Sequence, residues 1–218
     1  MDYSELKKTI EGGHFHKIPK DCLTYEVLSQ EDENGTNLVQ TAIYSGQIKK
    51  APPEFLTKEL IVDTGCLHTA AASRRLGDLP SKYLTKEYLS TKDYLGNTVY
   101  HIAAGCWDLE AIPASELDEE VVLTKNNKGK TPLDNAFFPY GGDEIQQAPI
   151  LLKVLSDKTL EKLSKKYSRA WPKKEHGSRR AHVADELEIR EELKRLEERQ
   201  REIKKRVKKC ITEEEITI

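Results

Sequence analysis

Hydrophobic and polar positions recur along the first two thirds of the chain with a spacing of about 33 residues. Five prolines mark the recurrence, and each follows an apolar residue by four positions. They are Pro19, Pro52, Pro80, Pro113 and Pro149, separated by 33, 28, 33 and 36 residues. Alanines have the same spacing, at Ala42, Ala70, Ala103 and Ala136. Self-similarity with such a period predicts stacked supersecondary units that bury one another's apolar faces.

Short helices are expected within each unit. Alanine at a fixed position favours close approach of neighbouring helices, because a larger side chain would overpack the contact. Each proline is expected to end one short helix and to precede the next. Further helices are expected to begin at capping residues, namely Thr24, Thr57, Thr85 and Asp118. Segments rich in Asn, Asp and Gly, such as 32–35, 92–97 and 126–129, favour tight turns. The pattern therefore predicts an all-α chain of short helices with projecting turns.

Two segments carry a family signature: Gly96-Asn97-Thr98-Val99-Tyr100-His101-Ile102-Ala103-Ala104 and Gly129-Lys130-Thr131-Pro132-Leu133-Asp134-Asn135-Ala136, with a weaker third at Cys66-Leu67-His68-Thr69-Ala70-Ala71. They resemble the Gly-x-Thr-Pro-Leu-His-x-Ala motif of ankyrin repeats. The resemblance implies a helical-repeat solenoid over residues 1–149, with a half unit at 1–19 and units at 20–52, 53–80, 81–113 and 114–149. It also implies that the repeat surface binds another protein.

The chain departs from the ankyrin pattern in several places. Gln40 and Asp134 stand where the motif has histidine, and the second unit lacks about five residues of its turn region. The segment after each proline is also shorter than the second helix of an ankyrin unit. We therefore expect a variant unit with a shortened second helix and an additional short helix.

Partner binding is expected at the turn tips and at one helical face of the stack, where aromatic side chains contribute most to interfaces. The candidates are Tyr94 and Leu95 in the turn of the third unit, at 92–97, together with Trp107 and the cluster Phe137, Phe138 and Tyr140. Core packing is an equal alternative for Trp107, Phe137 and Phe138.

A metal site and catalysis are both disfavoured. Cys66, His68, His101 and Cys106 could form a tetrahedral zinc site, but the repeat motif explains the histidines as side chains that hydrogen-bond turn backbone. No nucleophile elbow or phosphate-binding glycine loop occurs in the sequence. We therefore expect no enzyme activity, no metal and no cofactor.

The last third of the chain is expected to contain a helical cap at 150–167, a basic hinge at 168–182, a long helix at 183–210 and a tail at 211–218. In the long helix, positions spaced by four and three residues form a coiled-coil seam, namely Ile189, Leu193, Leu196, Gln200, Ile203 and Val207. The seam favours self-association into a homo-oligomer. The alternative is that it packs against the protein's own repeats.

Basic residues cluster between 158 and 180. The candidate phosphate ligands are Lys165, Lys166, Arg169, Lys173, Lys174, Arg179 and Arg180. They could bind nucleic acid with the help of nearby aromatic rings. We favour a solvated linker instead, because the basic run is short and no nucleic-acid-binding fold accompanies it.

Charge divides the chain into two parts. Residues 1–149 hold 15 Lys and Arg against 23 Asp and Glu, a net charge of −8, whereas residues 150–218 carry a net charge of +6. No apolar run is long enough to span a membrane, and the first residues do not resemble a secretory signal. A cytoplasmic protein is therefore expected. Its four separated cysteines are expected to remain free thiols.

Together these features predict a protein–protein interaction module. It would act as an adaptor or inhibitor, binding another protein through its repeats while the terminal helix joins copies and raises the effective concentration. A nucleic-acid-associated protein and a structural assembly subunit remain the alternatives.

Overall fold

The computed structural model describes the backbone of residues 1–137, 147–170 and 177–214, and the side chains of 1–137, 147–165, 183–199 and 201–202. Within these ranges all regular structure is helical, which confirms the all-α class. The only strand-like pairings there are two isolated bridges. The chain divides into an N-terminal domain, Met1–Val154, and a C-terminal domain, Leu155–Ile218.

Nine α-helices lie in the described part of the N-terminal domain. They are α1 (Tyr3–Glu11), α2 (Tyr25–Leu28), α3 (Leu38–Tyr44), α4 (Cys66–Ala72), α5 (Lys86–Leu89), α6 (Val99–Cys106), α7 (Glu119–Leu123), α8 (Pro132–Phe137) and α9 (Ala148–Leu152). Pairs of 3₁₀ turns lie between several of them, at Phe15–Lys17 and Lys20–Cys22, Ile48–Lys50 and Pro53–Leu56, Leu76–Asp78 and Ser81–Tyr83, and Leu109–Ala111 and Ala114–Glu116.

The central helices contact one another in chain order. Helix α1 contacts α3, α3 contacts α4, α4 contacts α6, α6 contacts α8, and α8 contacts α9. The alanines of the 33-residue series lie on four of these helices and are fully buried, namely Ala42, Ala70, Ala103 and Ala136. Their small side chains leave room for the neighbouring helix, as the sequence pattern predicts.

Each of the first four prolines of the series separates a pair of 3₁₀ turns. Pro19, Pro52, Pro80 and Pro113 occupy the position before the second turn of each pair. The fixed φ of proline suits the start of a helical turn, and its missing N–H is not needed there. The shortened second helix expected from the sequence is therefore a 3₁₀ turn. Pro149 differs, because it lies inside the first turn of α9.

Three of the four additional short helices begin directly after the residue predicted to cap them, although the Thr85 side chain makes no capping hydrogen bond. Thr24 precedes α2, Thr85 precedes α5 and Asp118 precedes α7. The Asp118 carboxylate accepts a hydrogen bond from the Val121 N–H at 3.0 Å, which satisfies a donor that the helix leaves unpaired. In the second repeat unit the corresponding segment is a π-helix, Glu59–Asp63.

A left-handed residue follows each of α1, α3, α4 and α6. Gly13 and Gly46 have φ values of 68° and 71°, which glycine adopts without strain. Arg74 and Trp107 hold the same position in the next two units with φ values of 57° and 70°. A non-glycine residue in this region costs about 1 kcal/mol or more. The Arg74 guanidinium lies 5.7 Å from the centre of the Trp107 ring, a cation–π contact that offsets part of that cost.

The C-terminal domain contains two helices in contact, α10 (Asp157–Ala170) and α11 (Gly177–Glu214). Arg190 of α11 donates hydrogen bonds to the Leu155 carbonyl at 2.6 Å and to Asp157 at 3.0 Å, and it pairs with Glu186 on its own helix. Lys194 also pairs with Asp157.

These boundaries differ from the expected ones in two ways. The segment expected to form one cap is divided between the domains, because α9 belongs to the N-terminal domain and α10 to the C-terminal domain. Helix α11 begins at Gly177, inside the expected hinge, and continues beyond residue 210. Glycine and serine are tolerated in a first helical turn, where backbone N–H groups have no partner within the helix. Among the described residues, no helix has the length and apolarity needed to cross a membrane.

Candidate functional site

Three turns of the N-terminal domain share one geometry and are called here the long turns: residues 31–37, 92–98 and 126–131. In the second long turn, Asp93 Oδ1 accepts hydrogen bonds from the N–H groups of Leu95 and Asn97, both at 2.8 Å. Gly96 then adopts a φ of 73°. The same pattern recurs at Asp32 with Gly35 and at Asn126 with Gly129. The side-chain oxygen and the glycine together fix each turn without help from the core.

The second and third long turns are bonded directly to each other. The Asn126 amide donates to Asn97 Oδ1 at 2.7 Å, and the Asn127 N–H donates to the Leu95 carbonyl at 3.1 Å. The Asn127 amide also donates to the Tyr94 carbonyl at 3.3 Å. No space for a ligand is left between these two turns at their point of contact.

Each of α3, α4 and α6 holds the turn of the following unit through the residue at the histidine position of the repeat motif. Gln40 donates to the Thr64 carbonyl at 3.3 Å, His68 Nε2 lies 3.1 Å from the Asn97 carbonyl, and His101 Nε2 lies 3.1 Å from the Lys130 carbonyl. The Thr98 N–H donates to His101 Nδ1 at 3.0 Å, so His101 carries its proton on Nε2 and donates to Lys130. Burial lowers the pKa of His101 because the charged imidazolium would lose its hydration.

The second repeat unit has only a short turn, residues 63–65, in place of a long one. A groove of about 870 Å³ lies where the missing residues would project. The first repeat unit contributes Gly35 and Tyr44 to its lining, the third contributes the segment 91–94, and the second contributes residues that include His68 and Ala72. The groove is therefore a direct result of the 28-residue spacing between Pro52 and Pro80.

Two tyrosines in the groove lining are strongly exposed. Tyr94 has 89% of its surface accessible and Tyr44 has 58%. Asp63, also in the lining, is exposed. Exposed aromatic rings beside a concave surface are typical of a protein-binding site. The arrangement can hold a chain segment by ring contacts and by attraction to carboxylates.

Tyr94 and Leu95 were predicted from the sequence, and the structure places Tyr94 at the groove and the half-exposed Leu95 beside it in the same turn. Tyr44 was not predicted. The repeat spacing contains a signal for it, because Ala72 and Gly105 occupy the same position in the next two units. The fourth unit also has a ring at this position, Phe138, so the first and fourth units differ there from the two units between them.

The other candidate partner-binding residues have different locations. Trp107 is half-buried, follows α6 and does not contribute to the groove lining. Phe137 has only 3% of its surface accessible, so it belongs to the core and the expectation of a partner contact is corrected. Phe138 and Tyr140 lie outside the described residues.

The cysteines and histidines of the disfavoured zinc site make other contacts in the structure. Burial raises the pKa of the Cys66 thiol to about 12, and its sulfur lies 3.2 Å from the Thr64 hydroxyl. Both nitrogens of His101 are already hydrogen-bonded. In the described ranges, no group of three or more His, Cys, Asp or Glu side chains is placed to hold a metal ion. Cys22, Cys66 and Cys106 are free thiols.

The expected oligomerisation seam is exposed where its side chains are described. Ile189, Leu193 and Leu196 have 55%, 54% and 47% of their surfaces accessible. Gln200, Ile203 and Val207 lie on α11, but their side chains are outside the described residues. The first half of the seam is thus an uncovered apolar stripe.

The candidate phosphate ligands lie mostly outside the described side chains. Lys165 is exposed on α10. Lys166 and Arg169 also lie on α10, and Arg179 and Arg180 lie on α11, with side chains outside the described set. Lys173 and Lys174 belong to a segment that is outside the described residues.

The sequence was compared with known proteins. No model of a known protein family matches the chain. No curated protein is significantly similar to it.

Proposed function

We propose that the protein is a non-catalytic adaptor or inhibitor with two binding surfaces. In this proposal, the N-terminal domain is an ankyrin-like solenoid whose groove binds an extended segment of another protein. Helix α11 joins copies through a coiled coil. The groove at the short turn, with Tyr44 and Tyr94 exposed in its lining, is the observation that carries the proposal.

The walls of the groove are suited to binding because they are already ordered. The second long turn is fixed by Asp93 and bonded to the third long turn through Asn126 and Asn127. His68, which also lines the groove, is hydrogen-bonded to the Asn97 carbonyl. A preorganised surface loses little conformational entropy when a ligand binds, so more of the contact energy contributes to affinity.

The occupant is an extended segment that carries lysine or arginine. Residues 1–149 have a net charge of −8. Asp63 is exposed in the groove, and Glu31 and Glu33 are exposed in the first long turn, to which the lining residue Gly35 also belongs. A cation is attracted both by these carboxylates and by the faces of Tyr44 and Tyr94. Lys92 is also exposed in the lining, but Asp63 and Asp93 outnumber it there, so an acidic segment would be repelled.

Self-association adds avidity to this binding. A second copy joined through α11 presents a second groove, and the second contact then forms at a high effective concentration. The exposed stripe Ile189, Leu193 and Leu196 supports this part of the proposal, since an apolar stripe on a charged helix is stabilised when another helix covers it.

A random peptide library displayed on phage and selected on the full chain tests the groove. We expect the selected peptides to be enriched in lysine or arginine. Their affinity should fall at least about tenfold in Tyr94→Ala, Tyr44→Ala and Asp63→Lys, because each variant removes a ring or carboxylate that contacts the cation.

Tyr25→Ala is the matched control, because Tyr25 is also exposed but lies on α2 outside the groove. It should change the affinity less than about twofold. Selected peptides that bind the three groove variants as tightly as the wild type contradict the proposal. Tighter binding of a single-stranded oligonucleotide, with a steep dependence on salt, favours the nucleic-acid alternative instead.

A further inference from the structure

Helix α11 has one covered face and one exposed apolar stripe. The covered face contains Glu186 and Arg190, and both Arg190 and the exposed Lys194 bond to Asp157 at the start of α10. The stripe of Ile189, Leu193 and Leu196 is about half accessible, so α10 does not cover it. The inference below rests on the proposed function, in which another copy of α11 covers this stripe.

Heptad positions identify the residues that flank the stripe. With Leu193 at position a, Ile189 and Leu196 are at position d. Glu192 and Arg199 then occupy successive g positions, and both are exposed. Arg190 and Glu197 occupy the e positions on the other side, where Arg190 is already bonded to Asp157 and Glu186. The g side is therefore the flank available to a second helix.

A parallel pairing of two α11 helices brings like charges together. In a parallel coiled coil each g residue faces the e residue five positions later on the other helix. Glu192 would face Glu197 of the second copy, and the symmetry of the dimer repeats this contact. The exposed carboxylates of these residues would repel each other twice per dimer.

An antiparallel pairing gives opposite charges at the same positions. When the two helices run in opposite directions, g residues face g residues. In the register centred between residues 194 and 195, Leu193 packs in one layer with Leu196 of the second copy. Glu192 then faces Arg199 of the second copy, and symmetry repeats this attraction. We propose that the stripe on α11 is covered by a second copy of α11 that runs antiparallel in this register.

Charge reversal in the full chain separates the two orientations. Sedimentation equilibrium gives the dimer dissociation constant of the wild type, Glu192→Arg and the double variant Glu192→Arg/Arg199→Glu. In the antiparallel dimer, Glu192→Arg turns two attractive pairs into repulsive ones, so the dissociation constant should rise on the order of tenfold. The double variant restores both attractions and should return to within about twofold of the wild type.

Glu191→Arg is the matched control. Glu191 and Glu192 both pair with Arg195 on the same helix, at 4.0 and 3.4 Å, so both variants lose a similar intrahelical contact. Glu191 occupies position f, on the face opposite the stripe. Its reversal should leave the dissociation constant within about twofold of the wild type.

The outcomes distinguish this inference from the function on which it rests. If Glu192→Arg strengthens the dimer, the helices are parallel, and the antiparallel arrangement is overturned while the coiled coil stands. If the wild type remains monomeric at every concentration, the coiled-coil part of the proposed function fails as well. A weakened single variant with a restored double variant supports both.

Discussion

Two junctions between turns of the N-terminal domain have opposite properties. The second and third long turns are bonded together through Asn97, Leu95 and the two asparagines of the next turn. The first and second long turns are separated by the short turn, and a groove of about 870 Å³ lies there. Both junctions lie between helices that pack in the same way, with Ala42, Ala70 and Ala103 fully buried. A cavity can therefore be produced by shortening a turn, without any change in the core.

The comparison of the two junctions also shows that substitutions in the helix contacts and changes in turn length are constrained to different degrees. Residues that build the helix contacts keep their type at each repeat position, because packing density penalises changes in volume. The length of a surface turn is much less constrained, since adding or removing residues there costs little free energy. Changing the groove by changing the length of a turn therefore costs less free energy than changing the helix contacts.

Lengthening the short turn should have the largest effect on binding. Replacing Thr64 and Gly65 by a copy of the seven residues of the second long turn, a net insertion of five, fills the groove and should reduce affinity for the selected basic peptides more than about tenfold. The insertion should lower the free energy of unfolding by less than about 1 kcal/mol. Fluorescence anisotropy with the peptides and urea denaturation measure the two quantities. Unchanged peptide affinity in a folded variant would place the binding site elsewhere.

Removing the imidazole at the bonded junction should destabilise the protein more than removing it at the groove. His101→Ala loses the bonds to Thr98 and Lys130 in a fully buried site, at a cost of about 3 kcal/mol. His68→Ala loses one bond, to the Asn97 carbonyl, beside the groove, at a cost of about 1 kcal/mol. Urea denaturation at pH 7.5 measures both. Equal costs would contradict the distinction between the two junctions.

Asn126→Asp tests why the third long turn has Asn126 at the position where the other two have Asp32 and Asp93. The variant keeps the oxygen that accepts from Lys128 and Lys130 but loses the N–H that donates to Asn97 Oδ1. The Asn97 amide cannot turn over without losing its bond to Asp93. The free energy of unfolding should fall by about 1.5 kcal/mol.

The control for this change is Asn127→Asp. It loses only an exposed bond of 3.3 Å to the Tyr94 carbonyl and should cost less than about 0.5 kcal/mol. If both variants are equally stable in chemical denaturation, the contact between Asn126 and Asn97 does not hold the two turns together.

A substitution of Asp108, which follows α6 and bonds to the backbone that follows α4, should have the smallest effect on the free energy of unfolding, and this effect should depend on pH. Asp108 accepts a hydrogen bond from the Leu76 N–H at 2.9 Å, and burial raises its pKa from an ordinary 3.8 to about 6. The ionised form is therefore disfavoured in the folded state, and stability falls as the pH rises from about 4 to about 6. Asp108→Asn removes this loss and should raise the free energy of unfolding at pH 7.5 by about 1 kcal/mol.

The gain should shrink as the pH falls from about 6 toward 4, because Asp108 becomes neutral in the folded state and then begins to be protonated in the unfolded state as well. His101 has the opposite dependence, since its lowered pKa gives stability that is present above pH 6.5 and is lost below it. The stability of Asp108→Asn should therefore decline more steeply in acid than that of the wild type. A gain that is constant from pH 4 to pH 8, measured by urea denaturation, would contradict the assignment.

The sequence predicts features that repeat and misses features that occur once. The alanine series lies on central helices, and four of the five prolines separate pairs of 3₁₀ turns where a shortened second helix was expected. The all-α class is confirmed. Arg74 and Trp107 in the left-handed conformation follow from their alignment with Gly13 and Gly46, but residue type alone argues against that conformation. Such a departure is visible only after the repeats have been aligned.

The candidate site was only partly predictable for a related reason. Tyr94 was predicted because aromatic side chains at exposed turns contribute most to interfaces. The groove was missed because no residue marks it, and only the spacing of 28 residues does. Phe137 was misplaced because composition does not separate a core ring from a surface ring. The start of α11 was misplaced because residues 168–182 were interpreted as a hinge, although Gly177 and Ser178 are acceptable at a helix terminus.

The hydrogen bonds from Gln40, His68 and His101 to the turn that follows would allow further repeat units to be added to the chain. Donor and acceptor occupy the same register in each unit, so a copied unit finds an acceptor ahead of it and supplies one to the unit behind. Duplication of residues 81–113 would extend the array by one step and leave each of these turn carbonyls with a donor. A molecule of this kind acquires new length by gene duplication more readily than one whose polar contacts are each unique.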